Sequence, residues 1–156
     1  MRSLLFCLFL AIGVSATPLE FPPMDPQARG FLIDVGGEWM PVKANATSKK
    51  EAKYDPGPDY PQFLSGMPTF DEDAANFVST VKMVQQMKGS NELEAVKLGP
   101  LPAMLKREKS SFTIYSGTGT TKITIHYTDG RDTSNRTPYD GLLEEVLRTF
   151  RMSSVK

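Results

Sequence analysis

His126 is the only histidine in the chain and Cys7 the only cysteine, so the residues that could do chemistry are few. A serine-type triad would have to recruit His126 as its base, and a histidine-rich metal site cannot be built within one chain. His126 lies in Thr121 to Thr128 (TKITIHYT), where apolar and polar residues alternate. That period places it with Lys122, Thr124 and Thr128 on the outward face of a strand, as an exposed, pH-sensitive contact.

Acidic residues cluster most densely at Asp71, Glu72 and Asp73, where the start of a helix accounts for them. Asp55 and Asp59 lie in a proline-rich stretch, and Asp129 and Asp132 flank a turn. None of these sets has the alternating ligands, central glycine and closing glutamate of a calcium loop. Gly117 to Lys122 (GTGTTK) precedes a strand rather than a helix and lacks Walker spacing, so it reads as a turn. In the basic cluster Lys106, Arg107 and Lys109, Glu108 intervenes and no aromatic is interleaved, which excludes a nucleic-acid signature. No cofactor and no metal are expected.

Aromatics offer a different chemistry. Tyr54, Tyr60 and Phe63 lie in a segment with little regular structure to bury them. Aromatics on semi-rigid loops serve as interface anchors, which makes these three the candidate binding residues. Trp39 reads instead as part of the core. Asn45-Ala46-Thr47 is a glycosylation acceptor motif in a polar loop, so Asn45 is the candidate modification site of a eukaryotic secretory pathway. Asn135-Arg136-Thr137 also matches, but Pro138 follows it and Thr137 is needed as a helix cap.

The export signal bears on all of this. Met1 and Arg2 precede an apolar run, Leu4 to Val14, that ends in the small residues Ser15 and Ala16. This is the pattern of a signal peptide over 1–16, cut after Ala16, and the run is too short to span a bilayer. Cutting there removes Cys7 and with it thiolate metal sites, cysteine nucleophiles and dithiol redox chemistry. The expected location is secreted or periplasmic, without stable membrane insertion. With 18 basic and 18 acidic residues, the chain has no general attraction to nucleic acid or anionic lipid.

Nine of the 12 prolines lie at or before Pro68, which sets off 17–68 as a proline-rich arm from an α+β domain over 69–156. Within the arm, Phe31 to Val35 and Glu38 to Val42 flank Gly36-Gly37 and predict a β-hairpin near 31–42, with Pro41 on an exposed edge. Ala44 to Lys53 reads as a polar loop. Thr69 and Glu72 have capping-box spacing, and Phe70, Ala74, Phe77, Val78, Val81, Val84 and Met87 predict a helix over 70–88. Pro100 and Pro102 break 92–109 into two short strands around a bend. Ser111 to Ser116 and Thr121 to Thr128 predict a hairpin, and Asp129-Gly130 a turn into an edge strand at 131–134. Thr137 as cap, Pro138 and a stripe from Leu142 to Phe150 predict the closing helix.

The economical assembly is α+β: a small antiparallel β-meander of about four strands covered on one face by both helices, behind the arm. Function follows from what remains. The expectation is an exported, cysteine-free, non-enzymatic binding or accessory module acting on a protein partner. Inhibitor, accessory subunit and envelope or extracellular component are the roles that fit. The alternative is a small secreted hydrolase using His126 or an Asp/Glu pair.

Overall fold

A computed structural model of the chain describes residues 17–42, 52–57, 61–89 and 92–154. It is mostly β. Among the described residues ten strands form two antiparallel sheets, with two short α-helices. In chain order they are β1 (Leu19–Phe21), β2 (Phe31–Ile33), β3 (Met40–Pro41), β4 (Ala52–Asp55), β5 (Gln62–Phe70), α1 (Phe77–Met87), β6 (Leu93–Leu98), β7 (Leu101–Arg107), β8 (Ser111–Thr118), β9 (Thr121–Asp129), α2 (Asp140–Thr149) and β10 (Arg151–Met152). The large sheet runs β3-β4-β5-β9-β8-β7-β6 and the small one β1-β2-β10.

The β8–β9 hairpin carries the clearest pattern. Phe112, Ile114, Ile123, Ile125 and Tyr127 are buried on one face, and Thr113, Tyr115, Lys122, Thr124 and His126 are half-buried on the other. β6 and β7 are the two strands around Pro100, joined at Gly99, whose φ of 55° only glycine adopts readily. β5 pairs along its whole length with β9, and its residues Leu64, Gly66 and Pro68 share the buried face.

The small sheet and α2 cover that face. Phe21, Phe31 and Ile33 join Leu64, Ile114 and Ile125 from the large sheet and Leu143, Val146 and Phe150 from α2 in one core. Phe21 and Phe31 stack with ring centroids 4.7 Å apart. Both rings lie directly over Gly66, where a β-carbon would come within 2.5 Å of Phe21 and 2.6 Å of Phe31. Glycine is there because the sheets meet at that point.

α1 lies on the opposite face, with Phe77 edge-on to Tyr115 at 6.2 Å. None of its residues is fully buried, and Met87 is 81% exposed. Among the described residues no helix is long and apolar enough to cross a membrane.

The four-stranded meander under two helices is therefore overturned, as is the separate arm with its hairpin. Phe31–Ile33 pairs with β1 on one side and β10 on the other, not with β3. Gly36 sends its N–H to Glu145 in α2 at 2.9 Å, and Asp34 bonds Thr149, so these groups bond to α2. β3 pairs with β4 and forms the edge of the large sheet, where Pro41 costs no ladder bond. The boundary at 68/69 falls inside β5.

The helices differ locally too. Thr69 and Phe70 extend β5 opposite Lys122 and Thr121, so ladder pairing overrides the capping box. Asp71 accepts the Asp73 N–H at 2.9 Å, a 3-10 turn follows at Ala74–Asn76, and α1 starts only at Phe77. The residues at 131–134 form no strand, and Thr137 is not the cap of α2, which Tyr139 precedes.

Gly66→Ala is expected to cost about 1–3 kcal/mol, the range for forcing a methyl into a filled core, read as a lowered urea midpoint. Gly141→Ala, where a β-carbon meets nothing within 4 Å, is expected to gain a few tenths to about 1 kcal/mol. Equal effects at both positions would contradict this account of how the sheets meet.

Candidate functional site

Tyr54 in β4 reaches across to β1, the edge strand of the small sheet. Its hydroxyl accepts the Glu20 N–H at 3.1 Å and donates to the Glu20 carbonyl at 2.5 Å. One phenol thus satisfies both backbone groups that the free edge of β1 presents at Glu20, which blunts that edge. The ring sits edge-on to Phe21 with centroids 5.2 Å apart. Burial raises the Tyr54 pKa above its ordinary value, against the opposing effect of the bond to the Glu20 backbone. This contact clasps the two sheets together along one seam.

Two clefts flank the clasp and share Glu20 and Pro22. One, of about 300 Å³, is lined further by Pro23, Arg29, Gly30 and Ser153. The other, of about 460 Å³, is lined further by Pro41, Val42, Ala52, Lys53 and Tyr54. Their size is that of sites that hold small ligands or peptide side chains. Arg29 is held in place by bonds from its guanidinium to the Ser153 carbonyl and from its N–H to Thr121, both 2.8 Å. The Lys53 ammonium stands 4.0 Å over the Phe63 ring, a cation–π contact.

Of the three candidate binding aromatics, Tyr54 is a wall of this groove. Phe63 lies in β5 on the outer face of the large sheet, beneath the Lys53 ammonium, and lines neither described cleft. Tyr60 and Asn45 lie outside the described residues. Trp39 packs against the core and donates from Nε1 to the Gly36 carbonyl at 3.1 Å. Glu20 and Arg29 were not singled out by sequence. The pattern Leu19-Glu20-Phe21, buried-exposed-buried, is the one signal that could have found β1, and Pro22-Pro23 obscures it.

The outer face carries a second group of polar side chains. His126 Nδ1 is 2.9 Å from the Thr113 hydroxyl, a hydrogen bond whose donor depends on the imidazole tautomer. Glu108 binds Lys106 at 2.9 Å and Ser111 at 2.7 Å, and its pKa is lowered chiefly by the Ser111 bond and then by Lys106. Neither described cleft is lined by His126, Thr113 or Ser111. Among the described residues no group of three or more His, Cys, Asp and Glu side chains could hold a metal ion.

Asp129 belongs to the framework. It is buried and accepts from the Arg131 backbone N–H, from the Arg131 guanidinium at 2.9 and 2.7 Å, from Gln62 at 3.1 Å and from the Thr137 N–H at 3.3 Å. The Arg131 bonds hold its carboxyl well below the usual range, outweighing burial. Burial, with the Asp129 charge beside it, pushes the Tyr127 phenol up to about 12. Other ion pairs on the large sheet join Lys122 to Asp71 at 3.7 Å, and Arg107 to Glu94 at 3.2 Å and Asp140 at 3.0 Å.

No family model matches the sequence, and no curated protein matches it. A solved structure from Bacteroides thetaiotaomicron VPI-5482 superposes with a TM-score of 0.56 at 13% identity, over 80% of this chain and 45% of that one. The likeness is one of fold, and this chain spans less than half of that protein's length.

Tyr54→Phe keeps the ring and removes both bonds to Glu20. It is expected to cost about 1–3 kcal/mol in urea unfolding, one to two hydrogen bonds' worth. Asp129→Asn is expected to cost about 3–5 kcal/mol at neutral pH, the cost of stripping a buried pair of one partner. Because the folded pKa of Asp129 lies below its unfolded value of about 3.9, its contribution is complete above that pH and is lost as pH falls through it. The difference between wild type and Asp129→Asn is therefore expected to shrink in urea titrations below about pH 4. A difference that does not change with pH would contradict the assignment.

Proposed function

We propose that the chain is an exported, cysteine-free, non-enzymatic module that binds a segment of a protein partner in the seam between its two sheets. The observation that carries this reading is the pair of clefts joined at Glu20 and Pro22 and braced by the Tyr54 clasp. A groove whose walls are already ordered loses little conformational entropy on binding, which is what a binding module requires. Prolines at 22, 23 and 41 add rigidity to its rim. Export rests on the signal pattern of 1–16, and N-terminal sequencing of the exported chain is expected to begin at Thr17.

A second reading, a small secreted hydrolase, draws on the Thr113–His126 contact. Turnover of p-nitrophenyl esters that disappears in His126→Ala, with folding intact, would favour it.

The binding reading is tested by filling the groove. Val42 lines it, is half-buried and lies outside the core cluster, so Val42→Arg is expected to leave the melting temperature near that of wild type. In pull-downs from the native exported fraction, wild type is expected to retain a stoichiometric partner that Val42→Arg loses. Recovery of the same partner by both proteins would overturn the seam as the binding site.

A further inference from the structure

We infer that two copies of this chain pair through β6, the free edge of the large sheet, antiparallel about a two-fold axis at Ala95. The surface is distinct from the seam and does not depend on it. The two-residue loop Gly99-Pro100 closes β6 on β7 at Leu98–Leu101, and such a loop closes on a hydrogen-bonded pair. Pairs alternate from there. Val96 and Glu94 bond Ala103 and Leu105, while Leu93, Ala95 and Lys97 turn their N–H and C=O groups away from β7. Pro102 agrees with this phase, because it stands opposite Lys97, where β7 needs no N–H toward β6. Among the described residues nothing bonds these six outward groups. The other edges are closed: β3 and β10 are two residues long, β3 carries Pro41, and Tyr54 occupies β1 at Glu20. β6 has six residues, no proline and no bulge, and Glu94, Ala95 and Lys97 are exposed.

A second copy is the occupant that this edge suits. With the axis at Ala95, Leu93 of each copy faces Lys97 of the other, Ala95 faces itself, and all six outward groups of each strand are used. Glu94 faces Val96, so no like charges stand opposite, and the smallest side chain of the strand lies on the axis. An axis at Glu94 or Lys97 would set like charges face to face, and one at Val96 would leave Leu93 opposite the Gly99 loop. The axis is perpendicular to the sheet, so both copies of α1 fall on one face, on either side of it. α1 begins over β8 and β9, where Phe77 meets Tyr115 and Lys122, and extends over β7 toward the β6 side. Of the four large apolar side chains exposed among the described residues, three, Met83, Val84 and Met87, lie in its C-terminal turns. Pairing through β6 turns these two apolar sets toward each other and gives them a partner.

Sedimentation velocity of residues 17–156 over a range of concentrations tests this, and a reversible monomer–dimer equilibrium is expected. Ala95→Pro removes an N–H that points away from β7, so the ladder within the chain is kept. It is expected to weaken the dimer at least about tenfold, because each dimer loses two hydrogen bonds, with a melting temperature near that of wild-type monomer. Met87→Glu, at a side chain 81% exposed, is expected to weaken the dimer without touching the fold. Register is read by crosslinking, since residues 17–156 contain no cysteine. The two Ala95 Cα atoms would lie about 5.5 Å apart, within disulfide reach, and the two Lys97 positions about 13 Å apart, beyond it. With diamide as oxidant, Ala95→Cys is therefore expected to give a covalent dimer much faster than Lys97→Cys. A monomer at every concentration up to the solubility limit would overturn the inference. So would a dimer that survives a folded Ala95→Pro, or one that crosslinks equally well from both positions.

Discussion

The contact of Phe21 and Phe31 with Gly66 is the constraint on which the other features depend. Two stacked rings from the small sheet descend onto a strand in the middle of the large one, at the one residue without a side chain. Their depth sets how close the sheets come. That in turn puts the free edge of β1 within reach of Tyr54 on β4, and the Tyr54–Glu20 bonds fix the seam. The clefts are the space left on either side of this clasp where proline and short strands keep the sheets from closing further. Function is thus proposed for a place that packing makes open, and not for one assembled from catalytic groups.

The same arrangement interlocks the two ends of the described chain. β2 is flanked by β1 and by β10, which lies more than 110 residues later in the chain. Asp34 pairs with Arg151 at 2.6 Å, and its backbone exchanges bonds with Thr149. Gly36 binds Glu145, and Ser153 donates to the Gly30 carbonyl at 2.9 Å. These ties return the C-terminal segment to the strands that build the small sheet. Ladder bonds and buried rings supply what crosslinks supply in smaller, disulfide-dense domains.

How much of this was legible in the sequence follows from sequence separation. The β8–β9 hairpin and the strands around Pro100 are local pairings, and alternation in 111–128 sufficed to orient His126 outward. The stripe of α2 was legible for the same reason, although its start shifted to Asp140 because Thr137 turns toward Arg131 and Asp129. Pairing of β2 with β1 and β10, and of β5 with β9, leaves no local mark. Local signals consequently misled at Gly36-Gly37 and at Thr69, where distant partners competed and won. Tyr54 was visible as an aromatic in a proline-rich segment. Glu20 and Arg29 acquire meaning only when the seam brings them together.

The proposal that the seam is the binding surface is tested most directly by hydrogen–deuterium exchange of residues 17–156, alone and with any partner that co-purifies. The account predicts slowed exchange at the amides of Glu20, Arg29, Gly30, Val42 and Lys53, with little change around His126. Protection confined to α1 and the outer face around Thr113 and His126 would contradict it.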